Sequence, residues 1–333
     1  MSQAAGPIVI LHGAVPTTAP PDEQDVLVQV EQVAHALESL GYPVAILPLT
    51  LDLADARRQL EALRPRLVFN LVESITGSGR LSLLGPALLE ELALPYTGAS
   101  YTTLFLTSHK LLAKQQLRAA GLPTPDWLPA ATVQSAAMVG PWIVKSVWED
   151  ASFALDDNAL VRSLPEVDPA LAERRRRLGG EWFAETFIDG REFNLSLLAD
   201  GDKLVALPPA EICFDAFPPG KARIVGYKAK WEPDSFEYRH TVRRLSFPPS
   251  DRPLLQHLTL LASQCAERFQ LRGYARVDFR VDHSNRPWIL EINANPCLAP
   301  DAGFVAAAQQ AGLTFSEIIQ RLVAAVPGWN RDA

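Results

Sequence analysis

Apolar positions recur along the first hundred residues in two alternating rhythms. Residues 7–11 (Pro-Ile-Val-Ile-Leu) form a short unbroken apolar run that stops at His12-Gly13, as a buried strand leading into a loop does. Over 22–40 the spacing changes: Val26, Val30, Val33, Leu37 and Leu40 return every three or four residues, and Gly41 closes the stretch as a helix C-cap. A second strand is predicted at 43–48, a helix at 52–63 and a third strand at 66–72. Strands alternating with helices imply a parallel sheet of the doubly wound kind, so residues 1–107 read as one α/β domain.

The texture changes at Thr107. A helix is predicted over 108–120, ended by Gly121 with Pro123 and Pro125 beyond it. The strand Trp142-Ile143-Val144-Lys145 follows, then a polar segment, then an Arg-rich helix near 170–178. From 181 onward β-hairpin signals dominate, with helices at 250–270 and 314–326. At 333 residues the chain exceeds what one compact core holds, and the texture divides it into 1–107, a central part 108–184 and a C-terminal part 185–330.

Charge and composition narrow the partners. Thirty-eight acidic residues against 31 basic ones leave a net charge of −7, which disfavours nucleic acid and anionic membrane surfaces. The run Arg174–Arg177 therefore reads as a solvated helix face and not as a phosphate patch. Three scattered cysteines (Cys213, Cys265, Cys297) suit neither a disulfide framework nor a zinc site, and no leader or membrane span is legible, so a cytoplasmic setting is expected.

The densest chemistry lies in residues 274–293. Tyr274 to Val281 alternates polar and apolar positions, as a half-buried strand does, and Trp288, Leu290 and Ile292 mark one apolar face of the strand that follows. With Ser284-Asn285 as a two-residue turn closed by His283 and Arg286, Asp278 falls opposite Glu291 and Arg276 opposite Asn293, all on one face. Opposed carboxylates repel unless something neutralises them. Arg276 and Arg280 could do so on a purely structural face, but two carboxylates and an amide oxygen also form a hard donor set for Mg²⁺.

The run Arg-Val-Asp-Phe-Arg followed by Leu-Glu-Ile-Asn-Ala-Asn-Pro resembles the metal-binding signature of the ATP-grasp superfamily, and within it of the D-alanine–D-alanine ligases. Residues 67–73, 95–98, 109–125, 141–145, 184–194 and 227–231 are similar to that family in matching order. The resemblance implies an ATP-grasp fold: a Rossmann-like N-terminal α/β part, a small central α+β part, and a C-terminal α+β part with an antiparallel sheet. It further implies a homodimer that joins a small carboxylate to an amine, using ATP with Mg²⁺ (or Mn²⁺) held by Asp278, Glu291 and Asn293. Lys110 and Lys145 match the lysines that hold ATP phosphates. Glu185, Phe187 and Ile188 match the strand that reads the adenine, and Glu192 the carboxylate that accepts from the ribose. Lys230 matches a lysine on a mobile loop, which here would be the Pro- and Gly-rich stretch 213–240. Arg276 is placed to stabilise an oxyanion.

Departures from the family concern the substrates more than ATP. Cys297 stands where the family has glycine, and Ala302 where it has a serine that binds the second substrate. The polar groups near the first substrate correspond to Asp25 (or Glu23), Ala151 and Trp231, so two hydroxyls are missing. Ala154 replaces a glycine of the phosphate flap, which disfavours a positive φ there. The expected activity is thus amide formation on a pair other than two D-alanines. An ATP-grasp phosphotransferase without the amine step and an inactive ATP-binding regulator remain the competing readings.

Overall fold

In the computed structural model, residues 6–128, 140–150 and 152–329 are described. The N-terminal sheet holds β1 (Ile8–Gly13), β2 (Val44–Leu49) and β3 (Leu67–Leu71) in the order β2-β1-β3, all parallel. All six residues of β1 are buried because a helix covers each face. Ile8 and Ile10 pack under Val26, Val30, Val33 and Leu37 of α1 (Pro21–Ser39). Val9 and Leu11 pack under Ala56 and Leu60 of α2 (Leu53–Leu63). The period-two strand thus meets two period-3.6 stripes, as the sequence patterns require.

After α3 (Leu84–Glu91), the helix expected over 108–120 is α5 (Lys110–Ala119), and a helix not expected, α4 (Tyr101–Ser108), runs directly into it. His109 breaks the run with φ −83° and ψ 94°, and its Nδ1 accepts from the Leu112 amide at 3.2 Å, capping α5. Lys110 becomes the first residue of a helix instead of an interior one.

The central sheet has β4 (Trp127–Leu128), β5 (Trp142–Ser146), β6 (Leu160–Val161) and β7 (Trp182–Thr186) in the antiparallel order β4-β7-β5-β6. β7 runs across the division expected at 184/185. Val167 and Leu171 of α6 (Val167–Leu178) pack on Trp142, Val144, Trp182 and Ala184. Of the arginine run, Arg175–Arg177 face solvent, but Arg174 is buried and reaches Asp156 at 2.6 Å.

The C-terminal sheet contains β8 (Gly190–Asp200), β9 (Lys203–Ala206), β10 (Ala210–Cys213), β11 (Val242–Arg244), β12 (Tyr274–Asp282) and β13 (Pro287–Asn293). Its order is β11-β10-β8-β12-β13, with β9 paired to β8. Between β10 and β11 lie two single-turn helices, α7 (Tyr227–Trp231) and α8 (Phe236–His240), within the stretch expected to be a mobile loop. Leu254, Leu258, Leu261 and Cys265 of α9 (Arg252–Phe269) cover Phe193, Leu195, Val277 and Phe279 on one face. α10 (Gly303–Gln310) and α11 (Phe315–Ala324) carry Phe304, Ile318 and Ile319 into the same core as α1, which ties the two ends of the chain together. Among the described residues no helix is long and apolar enough to cross a membrane.

The β12–β13 hairpin keeps the expected pairing at its far end but not at its tip. Arg276 opposes Asn293 and Asp278 opposes Glu291, yet Phe279 opposes Ile289 and Arg280 opposes Trp288, with a register shift between Asp278 and Phe279. The turn is one residue longer than the two-residue form: Asp282 exchanges a backbone bond with Arg286, and its carboxylate accepts the amides of Ser284 and Arg286. Capture of turn amides by a short carboxylate stabilises this wider turn, with Asn285 at φ 59°. A bulge at Leu290 takes up the difference. In consequence Ile289 and Ile292 face the core, and Leu290 lines the cavity instead of sharing their face.

Candidate functional site

A cavity of about 970 Å³ opens between the three sheets, and every site residue proposed from the sequence that is among the described residues lines it. Asp278, Glu291, Arg276 and Asn293 reach it from one face of the hairpin, as the alternation of β12 and β13 dictates. Arg276 donates to both Asp278 oxygens, Nε at 2.7 Å and Nη2 at 2.8 Å, and Asn194 donates to Asp278 Oδ1 at 2.8 Å. Asn293 Oδ1 accepts from the Asn295 amide at 2.9 Å. The Glu291 carboxylate has no hydrogen-bond or ion-pair partner among the described residues. Burial would raise its pKa, but the charges of Lys110, Lys145, Arg276 and Lys230 outweigh that and hold it at about 2. Burial pushes Asp278 upward, against Arg276. Among the described residues no group of three His, Cys, Asp or Glu side chains is placed to hold a metal ion. Two carboxylates with an amide oxygen therefore leave most of a cation's shell to water and substrate, as Mg²⁺ favours and zinc does not.

The lysines enter from the central sheet. Lys110, at the start of α5, donates to the Glu149 carbonyl at 2.8 Å and to Asp150 Oδ1 at 2.7 Å. Lys145, near the end of β5, lies 2.6 Å from Glu185 Oε1. Glu185 Oε2 is 2.6 Å from Lys114 Nζ, and both of those side chains are only 1% exposed. Burial raises the Glu185 pKa, yet the two lysines prevail and keep it ionised. Lys114 is absent from the sequence reading. Its clue was the helical spacing from Lys110 at i+4, which puts both on one face of α5.

Phe187 and Ile188 follow β7 along the cavity wall, and Phe187 packs with Ile143, Leu155 and Ile224. Arg191, the chain neighbour of Glu192, holds Glu211 and Asp251. Glu192 pairs with Arg280 at 2.9 Å, the residue opposite it on β12. Neighbours in a strand point to opposite faces, so the cross-strand partner wins.

The 213–240 stretch covers the cavity. Lys230 and Trp231 line it, and burial followed by the charge of Arg276 pushes the Lys230 pKa down. Ser152 donates to the Val225 carbonyl at 2.6 Å and the Tyr227 amide donates to Leu155 at 3.0 Å, fastening this stretch to the flap. Ala154, expected to avoid positive φ, adopts 52°, and Ser152 adopts 62°. Ala151 lies outside the described residues.

At the opposite end, Asp25 and Glu23 of α1 line the cavity near Cys297 and Ala302. Gln29, fully buried, donates to Glu73 at 2.9 Å and to Asp25 at 3.3 Å, while its Oε1 accepts from the Leu298 amide at 2.9 Å. Cys297 Sγ donates to Asp25 at 3.0 Å, and burial with the nearby Glu73 and Asp25 charges pushes its pKa up, so it is a thiol and no nucleophile. Burial raises Glu73 to about 7, with Gln29 opposing and Asp25 adding to it. Gln29 and Glu73 were missed because their partner loop is more than two hundred residues away in the chain.

Comparison with known proteins places this geometry. Residues 117–324, more than half of the chain, match the family described as D-ala D-ala ligase C-terminus. An uncharacterized protein of Sinorhizobium fredii is 32% identical over 77% of this chain and 73% of its own length. A D-alanine–D-alanine ligase of a Synechococcus strain is 30% identical over 87% of this chain and 84% of its own. In three dimensions, a D-alanine–D-alanine ligase from Bacillus anthracis complexed with ATP superposes with TM-score 0.71 at 19% identity, covering 96% of this chain and 97% of that one. The fold is accordingly the ATP-grasp fold, and the chain belongs to the D-alanine–D-alanine ligase family.

Proposed function

We propose that this chain is an ATP- and Mg²⁺-dependent carboxylate–amine ligase that makes an amide through an acyl phosphate, on a pair other than two D-alanines. The observation that carries this reading is the Glu291 carboxylate, opposed by Asp278 and ringed by Lys110, Lys145, Lys230 and Arg276. Lys110 and Lys145 are held in place by Asp150 and Glu185, so the cations form a preset cradle of donors around Glu291 that suits a polyphosphate with its divalent cation.

Asp278, Glu291 and Asn293 would hold Mg²⁺, which supplies Lewis-acid neutralisation of phosphoryl oxygens. Lys110 and Lys145 hold the phosphates as point charges, and Lys145 is aimed by Glu185. Phe187 and Ile188 bound the adenine, so recognition of its edge falls to backbone there, because the Glu185 carboxylate is committed to its lysines. Glu192, braced by Arg280, receives the ribose hydroxyls. Lys230 and Trp231 close over the reacting phosphoryl group and exclude water, which would hydrolyse an acyl phosphate. Arg276, already oriented by Asp278, stabilises the oxyanion formed when the amine attacks the acyl carbon. The amine end is served by Asp25, Glu23 and Glu73, whose carboxylates suit an ammonium group.

Cys297 and Ala302 bear on specificity. The thiol is bonded to Asp25 and Ala302 offers no hydroxyl, so polar groups that a small substrate would present there go unpaired, at about 1–3 kcal/mol each. D-alanine alone, with ATP and Mg²⁺, is therefore expected to release little ADP above background, while a screen of acid–amine pairs finds one that does. Robust D-alanyl-D-alanine formation at millimolar D-alanine overturns the specificity reading.

A further inference from the structure

β11 carries a residue that the roles above leave unused. In this three-residue strand Arg244 and Arg243 take opposite faces. Arg244 opposes Glu211 and bonds its carboxylate, within a network completed by Arg191 and Asp251. Arg243 opposes Ile212 on β10, and both side chains line the cavity.

There Arg243 lies against the start of α10. Its Nη1 donates to the Asp301 carbonyl at 3.4 Å, and a Cβ on Gly303 would meet its Nη2 at 3.4 Å. Among the described residues it has no ion-pair partner. Arg243 stays exposed at the rim of the cavity; the partial shielding it has there, and then the like charge of Arg276, push its pKa down, with Asp301 opposing. The guanidinium of Arg276 faces the same cavity and spends Nε and Nη2 on Asp278. The N-cap of α10, Ala302, contributes no side-chain hydrogen bond, and first-turn amides have no acceptor within a helix. Two guanidiniums at one end of a cavity repel each other until an anion lies between them.

We propose that Arg243 is a specificity-determining residue: with Arg276, it receives the free carboxylate of an amino-acid acceptor beside Gly303, where Ala302 brings no hydroxyl. A guanidinium fork binds a carboxylate through two parallel hydrogen bonds and tells it from an amide or a bare amine by charge. Arg243 would thereby set how strongly the acceptor's free carboxylate is preferred over an amide or a bare amine; this rests on the ligase reading.

Two measurements test it. With ATP and Mg²⁺, ADP release is followed for amino-acid acceptors and their matched carboxamides. The wild type is expected to favour the acid by at least ~10-fold in kcat/KM, and Arg243→Ala to raise the acceptor KM by a similar factor, leave the ATP KM unmoved and erase the preference. Arg243→Lys keeps part of it. Carboxamides serving the wild type as well as acids, or a preference that survives in Arg243→Ala, overturns the proposal. The second measurement needs no turnover. With a non-hydrolysable ATP analogue and Mg²⁺ saturating the phosphate site, sulfate is titrated at constant ionic strength and the thermal midpoint recorded. A saturable rise in the wild type that is lost in Arg243→Ala supports the anion site, and equal behaviour of the two overturns it. If no acceptor releases ADP, the ligase reading fails while the sulfate titration still decides the role of Arg243.

Discussion

Replacing Glu185 by glutamine isolates one buried charge whose two partners are known. In the folded chain Glu185 and Lys114 are each 1% exposed and Lys145 12%, with both N–O distances at 2.6 Å. One anion between two cations leaves a local charge of +1, and Glu185→Gln raises it to +2 with Lys114 wholly shut from water. Breaking such a pair by removing one member costs about 3–5 kcal/mol, most of it the uncompensated charge left behind. At roughly 1.4 °C per kcal/mol for a chain of 333 residues, the thermal midpoint falls by at least about 4 °C. Lys114→Met is the control. It gives up bonds to Thr124 Oγ1 (2.9 Å) and the Pro125 carbonyl (3.3 Å), but it leaves Glu185 and Lys145 as a neutral pair. Its cost is set at ~1–3 kcal/mol by those hydrogen bonds. In the double variant only Lys145 remains charged, and its tip reaches the cavity, so the combined loss falls short of the sum by at least ~1.5 kcal/mol. Urea unfolding followed by circular dichroism measures all three. Additive losses, or a Glu185→Gln protein no less stable than Lys114→Met, would refute the view that this carboxylate exists to aim and neutralise lysines. The ATP KM of Glu185→Gln also rises, because Lys145 loses the group that orients it.

Asp278→Asn or Glu291→Gln is expected to cut kcat of the folded protein by at least ~10²-fold, and near-normal turnover would remove both from the metal site. Glu73 ionises at about 7 when folded against an ordinary 4.5. Its contribution to stability is thus complete below about 4.5 and is lost as pH rises toward 7, a change of at most about 3 kcal/mol. Glu73→Gln should therefore gain on the wild type in thermal midpoint between pH 5 and 8, and a gap that does not widen with pH contradicts the burial argument. The Tyr227 hydroxyl bonds Asp22 at 3.0 Å, joining the cover of the cavity to α1. Tyr227→Phe is expected to speed proteolysis within 213–240, and an ATP analogue with Mg²⁺ to slow it; cleavage indifferent to both would mean the stretch does not close on nucleotide.

What could be read from the sequence was what is local. The strand and helix rhythms of residues 7–72 depend on each element's own periodicity, and β1, α1, β2, α2 and β3 follow them to within a residue or two. The helix expected from 108 begins at Lys110, but α4 before it was not legible, and neither was the cap between them, because a histidine that caps and a histidine inside a helix look alike until its ring finds an amide. The carboxylate pairing came out right although the turn was wrong: the longer turn and the bulge at Leu290 offset each other before Asp278 is reached. Partners of buried charges were illegible for a different reason. Lys114 meets Glu185 across 71 positions, and Gln29 meets the Leu298 amide across 269, so only the folded sheets bring them together. Arg280, and not the adjacent Arg191, partners Glu192, because adjacency along a strand keeps two side chains apart.

The position of that bulge has a consequence for how the hairpin can change over generations. The tip at 283–285 and the carboxylate pair are separated by Leu290, the point at which the two strands already fall out of step. Losing one residue from the tip or the bulge residue itself alters the outer half of the ladder, and Asp278 still finds Glu291 across from it. Length variation at the exposed end is absorbed before it reaches the chemistry. The same tolerance does not extend to 291–293, where no second irregularity stands between an inserted residue and the donor set.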